Sequence, residues 1–134
     1  MATYNKFNSF VEALAEKVHN LGSDQIVIAL TNTIPLATNT QLSNITQISY
    51  TGLSTRNITT VSSSQTSGTY SLVLTDLTLT SSGTVGPFRY VVLFNDTATN
   101  DELIGWADYG SSITLNNGET LLIDFNPAGA ITIV

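Results

Sequence analysis

Cysteine is absent from this chain, and histidine occurs once, as His19. Without thiols there are no disulfides and no thiolate metal sites, and the redox compartment leaves no trace. A lone imidazole has no second histidine or cysteine with which to share a metal. Metal centres of that kind and Ser–His chemistry are therefore excluded, and His19 is read as structural or as exposed near a helix end. Charge is also scarce: 10% of the 134 residues, against roughly 25% in an ordinary soluble domain. The cations are Lys6, Lys17, Arg56 and Arg89, too few for a phosphate-tracking patch, so direct nucleic-acid binding is excluded. No apolar run approaches the roughly 20 residues of a membrane-spanning helix, so no membrane partner is expected. Met1 to Lys6 carry no signal-peptide pattern, and the expectation is cytoplasmic synthesis without signal-dependent export.

Hydrophobic residues make up 42%, enough to fold one domain with one main core. The net charge is -6 and the pI about 4.2, so the polar surface must come mainly from Ser, Thr, Asn and Gln. Such a surface is more at home against other protein, or in a particle, than on a free monomer kept soluble by charge.

The strongest strand signal is Phe88-Arg89-Tyr90-Val91-Val92-Leu93-Phe94. At period two, Phe88, Tyr90, Val92 and Phe94 fall on one face and Val91 and Leu93 on the other, predicting a central strand covered on both sides. Arg89 must reach the rim or find a carboxylate, Asp108 first and Asp124 second. Residues 5–21 predict the only good helix, with Phe7, Phe10, Val11, Leu14, Val18 and Leu21 as its apolar stripe, Asn5 as cap and Gly22 as left-handed stop. Strands are predicted over Gln25–Leu30, as a possible edge over Ile58–Ser62, as a long irregular run from Tyr70 through Leu79, over Leu103–Ala107 and over Ala130–Val134. Ile113–Leu115 is expected to pair with Glu119–Phe125 across Asn116-Asn117-Gly118. Ser62 to Gly68 and Asp108 to Ser111 read as turns, and residues 36–69 as a region able to hold a binding loop. The fold class is mainly β: an antiparallel β-sandwich over 24–134 with one N-terminal amphipathic helix packed on it or projecting from it.

No catalytic or cofactor-binding residue and no metal ligand is assigned. Asn95, Asp96, Asn100, Asp101 and Glu102 offer oxygens suited to Ca²⁺, but without EF-hand spacing they read as a polar hairpin tip. Asp108, Glu119 and Asp124 could neighbour one another in a sheet, yet nothing places them in a cleft as a glycosidase pair. Asn44-Ile45-Thr46, Asn57-Ile58-Thr59 and Asn95-Asp96-Thr97 match the glycosylation pattern by chance in a chain rich in Asn and Thr.

Several segments, in this order, carry a resemblance. They are Phe7-Asn8-Ser9-Phe10-Val11-Glu12-Ala13-Leu14-Ala15 with His19-Asn20-Leu21; Leu30-Thr31-Asn32-Thr33-Ile34-Pro35; Phe88 to Asp96; Leu103-Ile104-Gly105-Trp106-Ala107-Asp108-Tyr109-Gly110; and the closing Asn117-Gly118 turn. Together they resemble a family of small virion proteins of tailed bacteriophages. That resemblance implies a structural protein of the phage head surface, a capsid decoration (cement) protein that is not an enzyme and binds no cofactor. Its partners would be the major capsid protein and itself, as a dimer or trimer. A tail, baseplate or fibre component and a carbohydrate- or host-binding module stand as alternatives. Related chains often place a Gly-Tyr turn after the Ile-Thr-Gln-Ile stretch, whereas here Tyr50 precedes Gly52. The expected contact segments are those around Tyr4 and Phe7, residues 36–69 and the Thr80–Pro87 turn.

Overall fold

A computed structural model describes residues 3–134. At its centre lies β7 (Val85–Asn95), paired on one side with β2 (Ile26–Thr31) and on the other with β8 (Leu103–Leu115). β1 (Thr3–Lys6) and β3 (Asn57–Ile58) complete a five-stranded antiparallel sheet in the order β1-β8-β7-β2-β3. The other layer comprises β4 (Thr60–Thr66), β5 (Thr69–Leu74) and β10 (Ile131–Ile133), ordered β10-β5-β4, and the pair β6 (Leu77–Thr80) and β9 (Thr120–Ile123). The protein is mainly β, with several antiparallel sheets packed together and one short helix.

Both faces of the central sheet are covered, as the two apolar faces of β7 require. On one, Ile26, Ile28, Leu30, Val91, Leu93 and Ile104 meet Leu72, Leu74, Leu79 and Ile131 of the second layer. On the other, Val27, Ala29, Tyr90, Val92, Phe94 and Trp106 are buried beneath Ile45, with Leu42 packed against them. Phe7 joins this second cluster, its ring 4.6 Å from that of Trp106. Phe88 departs from the simple alternation: it packs with Val91 and Leu93, on the opposite face from Tyr90. The ladder explains this. Between the pairs Phe88↔Ile113 and Tyr90↔Asp108, β7 contributes Arg89 while β8 bulges through Tyr109 to Ser112. A bulge resets which face the next side chain takes.

The helix is shorter than its apolar periodicity suggests. α1 spans Ser9–Ala15, because Thr3–Lys6 pairs with β8 instead of extending the helix. Asn8, not Asn5, is the N-cap. The helix ends at Lys17, in the left-handed region at φ 68, with Val18 N–H donating to the Ala13 carbonyl and Lys17 N–H to that of Leu14. This is a Schellman motif closed by lysine, so the chain leaves the helix before Gly22. Further differences follow from the two layers. The Tyr70–Leu79 run is split, β5 and β6 lying in different sheets. The Asn116–Gly118 turn exists, with Gly118 at φ 84, but passes the chain between layers, and β9 pairs with β6, not β8. The serine-rich stretch is strand β4 as far as Thr66, and the turn is only Ser67-Gly68, whose positive φ values of 51 and 83 suit a two-residue hairpin. Asp108 to Ser111 lies within β8, Asp108 paired with Tyr90 and Tyr109 to Ser111 in the bulge.

Residues 36–56 act mainly as a cover. Ile45 is buried in the second cluster, while Ile48, Tyr50 and Leu53 pack against the first. This segment also closes the outer edge of β2. Ile28 N–H donates to the Arg56 carbonyl, and the Arg56 guanidinium donates back to the Ile28 carbonyl at 2.7 Å. Leu30 N–H donates to the Tyr50 hydroxyl at 3.0 Å, and Ile48 N–H donates to the Leu30 carbonyl. The Tyr50 hydroxyl in turn donates a hydrogen bond to the Gln47 side-chain oxygen, and its ring lies 3.6 Å beneath the Arg56 guanidinium. Side chains thus do what a further strand would otherwise do. Tyr50→Phe strands the buried Leu30 N–H and is predicted to lower stability by about 1–3 kcal/mol, measured by urea unfolding with an unchanged m-value.

Candidate functional site

An open cavity of about 810 Å³ lies between the turn after α1, the loop following β7, and the β4–β5 hairpin. Leu14, Val18 and Leu21 give it an apolar wall; Ser63, Tyr70 and Thr97 are among its polar groups. The turn containing His19 is held to the sheet by Asn95, the last residue of β7, which is fully buried. The Asn95 Nδ2 amide donates to the Asp24 carboxylate at 2.7 Å and lies 3.0 Å from His19 Nδ1. The Asn95 oxygen accepts from the backbone N–H groups of Thr97 and Ala98, at 3.0 and 3.1 Å. Asp24 also accepts from Asn20 N–H. One amide therefore ties together the turn after the helix, the end of the central strand and the following loop.

This geometry settles the histidine tautomer. The bonds to Thr97, Ala98 and Asp24 orient the Asn95 amide, so its NH₂ faces His19 Nδ1, which must be the acceptor. The proton then sits on Nε2, which is buried and has no hydrogen-bond partner among the described residues. His19 is only 4% exposed. Burial pushes its pKa down, opposed by the Glu102 and Asp24 carboxylates. His19 lies past the helix, in the core of this junction, not exposed at a helix end.

The remaining sequence candidates do not converge. In the 95–102 loop the Asn95 side chain is turned inward, and the Asp101 carboxyl is pushed up by burial, then by Asp96 and Glu102. No group of three or more His, Cys, Asp or Glu side chains gathers as a metal site among the described residues. Asp108, Glu119 and Asp124 do not line the cavity; Glu119 binds the Asn116 amide, and Asp124 follows β9 in the second layer. Of the glycosylation-like asparagines, Asn95 is buried, and the Asn44 oxygen accepts from the backbone N–H groups of Thr40 and Gln41. Trp106 is core and offers no stacking platform.

Arg89 does pair with Asp108, in a bidentate contact with Nε–Oδ1 at 2.8 Å and the terminal nitrogen to Oδ2 at 3.1 Å. The two side chains are 39% and 29% exposed, so the bulge lets the cation reach the rim, and the pair contributes little. The hydrogen bond from Arg89 and the backbone bond from Gly110 hold the Asp108 carboxyl below its ordinary range. What stability this adds is present above the ordinary aspartate value, about 3.9, and is lost as pH falls through the lowered one.

The anticipated contact segments divide. Phe7 is fully buried, and Ser81 and Val85 of the Thr80–Pro87 stretch are buried too. Tyr4 is 45% exposed, its ring lying against Gly105, where any Cβ would collide with it. Burial of its hydroxyl pushes that pKa up to about 12. Every residue from Val61 to Gly68 is exposed. From residue 25 to 75 the one charged side chain is Arg56, already engaged with Ile28 and Tyr50.

The bridging role of Asn95 escaped the sequence reading, although an asparagine at the end of the strongest strand and before a polar loop is a recognisable Asx-turn position. Asn95→Ala removes the acceptor of two backbone N–H groups and the donor to His19 and Asp24, and is predicted to cost about 3 kcal/mol. Arg89→Ala should leave the chemical-denaturation midpoint almost unchanged, and equal losses in the two variants would contradict this ranking. Comparison with protein-family models, curated proteins and solved structures finds no match.

Proposed function

We propose that this chain is a structural protein of a tailed-phage particle, a decoration protein that binds the outer surface of the major capsid shell and adds contact area between capsid subunits. It acts without catalysis or a cofactor, as an oligomer of identical chains. The observation that carries the reading is the charge-free stretch from residue 25 to 75, relieved only by Arg56. It includes the exposed Ser- and Thr-rich strand β4 and its turn. β4 and its turn can be covered by another protein without desolvating charged side chains of their own, which lowers the cost of a contact there. The sequence resemblance to small virion proteins supports the same reading. In a repeated shell, many modest contacts act together.

The expected outcome is that heads lacking this protein release DNA at a lower temperature, or under milder osmotic shock, and regain wild-type resistance when purified protein is added back. Heads of unchanged stability, with labelled protein only at the tail, would instead assign it to the tail.

A further inference from the structure

The junction at Asn95 contains the chain's single histidine in a state that one proton would upset. Neutral His19 offers Nδ1 as acceptor to the Asn95 NH₂ group, 3.0 Å away. Adding a proton to Nδ1 makes both groups donors, and they cannot stay in contact. Rotating the Asn95 amide to restore an acceptor would take its oxygen from Thr97 and Ala98 N–H. Moving the imidazole instead gives up only the His19 contact and leaves Asn95 bonded to Asp24, Thr97 and Ala98. Rotation of the amide is the route by which the ties among the three segments are lost together.

We propose that His19 and Asn95 form an acid-released latch, which holds the turn after α1 and the loop after β7 together at neutral pH and frees them, opening the adjoining cavity, when His19 is protonated. The proposal rests on the bonding geometry and is independent of any role on a particle. The charged groups around the imidazole favour its release at acid pH without abolishing it. Asp24, in the same turn, and Glu102, at the start of β8, both draw a proton towards His19. Lys17 also lines the cavity. Asp96 and Asp101 act mainly within their own loop. From α1, the Phe10 ring lies 5.4 Å away between centroids and offers an imidazolium no hydrogen bond, only a weak cation–π attraction. Desolvation outweighs the two carboxylates, so the folded protein takes the proton at lower pH than the unfolded chain.

The sign follows from linkage. As pH falls below the ordinary histidine value of about 6.5, the unfolded or locally opened state binds the proton first, so the latch weakens until the folded value is passed. No other side chain has an ordinary value between pH 5 and 8, which makes the assignment clean.

The test is NMR on ¹⁵N-labelled whole protein. At pH 7.5 the imidazole shifts should report an Nε2–H tautomer. On lowering the pH, His19 should titrate below about 6.5, and amide-exchange protection of Thr97 and Ala98 should fall by about tenfold per pH unit in step with it. His19→Gln, whose side-chain oxygen can accept from Asn95 without titrating, should keep that protection constant from pH 7.5 to 5. An Nδ1–H tautomer at neutral pH overturns the proposal, as does protonation that leaves the Thr97 and Ala98 amides protected. So does a histidine that stays neutral down to pH 4. If His19→Gln does not fold, the wild-type tautomer and the coincidence of the two wild-type titrations decide alone.

Discussion

The structure depends on hiding a strand pair, β7 and β2, from water on both faces and along one edge. Burying the faces is a matter of apolar side chains, which the second layer and the 36–56 cover supply. The edge is harder, because β2 has polar backbone groups that burial cannot satisfy. β3 pairs only with Ile26 and Val27. Beyond it, Arg56, Tyr50 and Ile48 take over at Ile28 and Leu30. The one cation in the long uncharged stretch is thus spent on a carbonyl and an aromatic face, where guanidinium geometry is better suited than an ammonium. With that edge closed, further strands cannot add to the sheet there, and the loop becomes part of the core.

The bulges in the β7–β8 ladder are the second constraint. A strictly regular β7 would send Phe88 to the same side as Tyr90 and leave Arg89 among Val91 and Leu93. The Tyr109–Ser112 bulge turns Phe88 into the inter-layer core and brings Arg89 to Asp108 at the rim. The ion pair therefore follows from a backbone irregularity that accommodates a large aromatic residue. Its exposure explains why an arginine is tolerated in the middle of the strongest strand.

What was legible in the sequence was set by local pattern. β7, β2, β10 and the Arg89–Asp108 pairing follow from period-two apolarity and the cost of a lone cation. What was not legible depends on distant partners. Of the 5–21 apolar stripe Phe7, Phe10 and Leu21 are buried whereas Val11 and Val18 are exposed, and Phe7 belongs to a different cluster from the other two because strand pairing with β8 competes with helix extension. Asn-Gly marked the turn and the strand that follows it but not that strand's ladder partner, because a turn specifies a reversal and not a partner. The serine-rich strand escaped notice because its residues have little burial of their own and owe their conformation to Tyr70 and Leu72 across the ladder. Asn95 was counted among possible ion ligands when its four bonding partners all lie within the protein.

The same distribution of polar groups separates interior from surface. Inside, the polar side chains are few and specific: Asn95 joins three segments, Tyr50 and Arg56 close an edge, and Ser81 anchors the turn at Asn116. Outside, along β4 and its hairpin, hydroxyls and amides occur without charge and with few internal obligations. A group engaged inside cannot be recruited by a partner without loss of stability, whereas an exposed hydroxyl can exchange water for a partner's hydrogen bond at small net cost. His19 stands at the boundary, close-packed yet beside an open cavity. Its titration therefore bears on the junction beneath that cavity and not on the hairpin, so a change of pH can loosen one end of the molecule while the uncharged face keeps its chemistry.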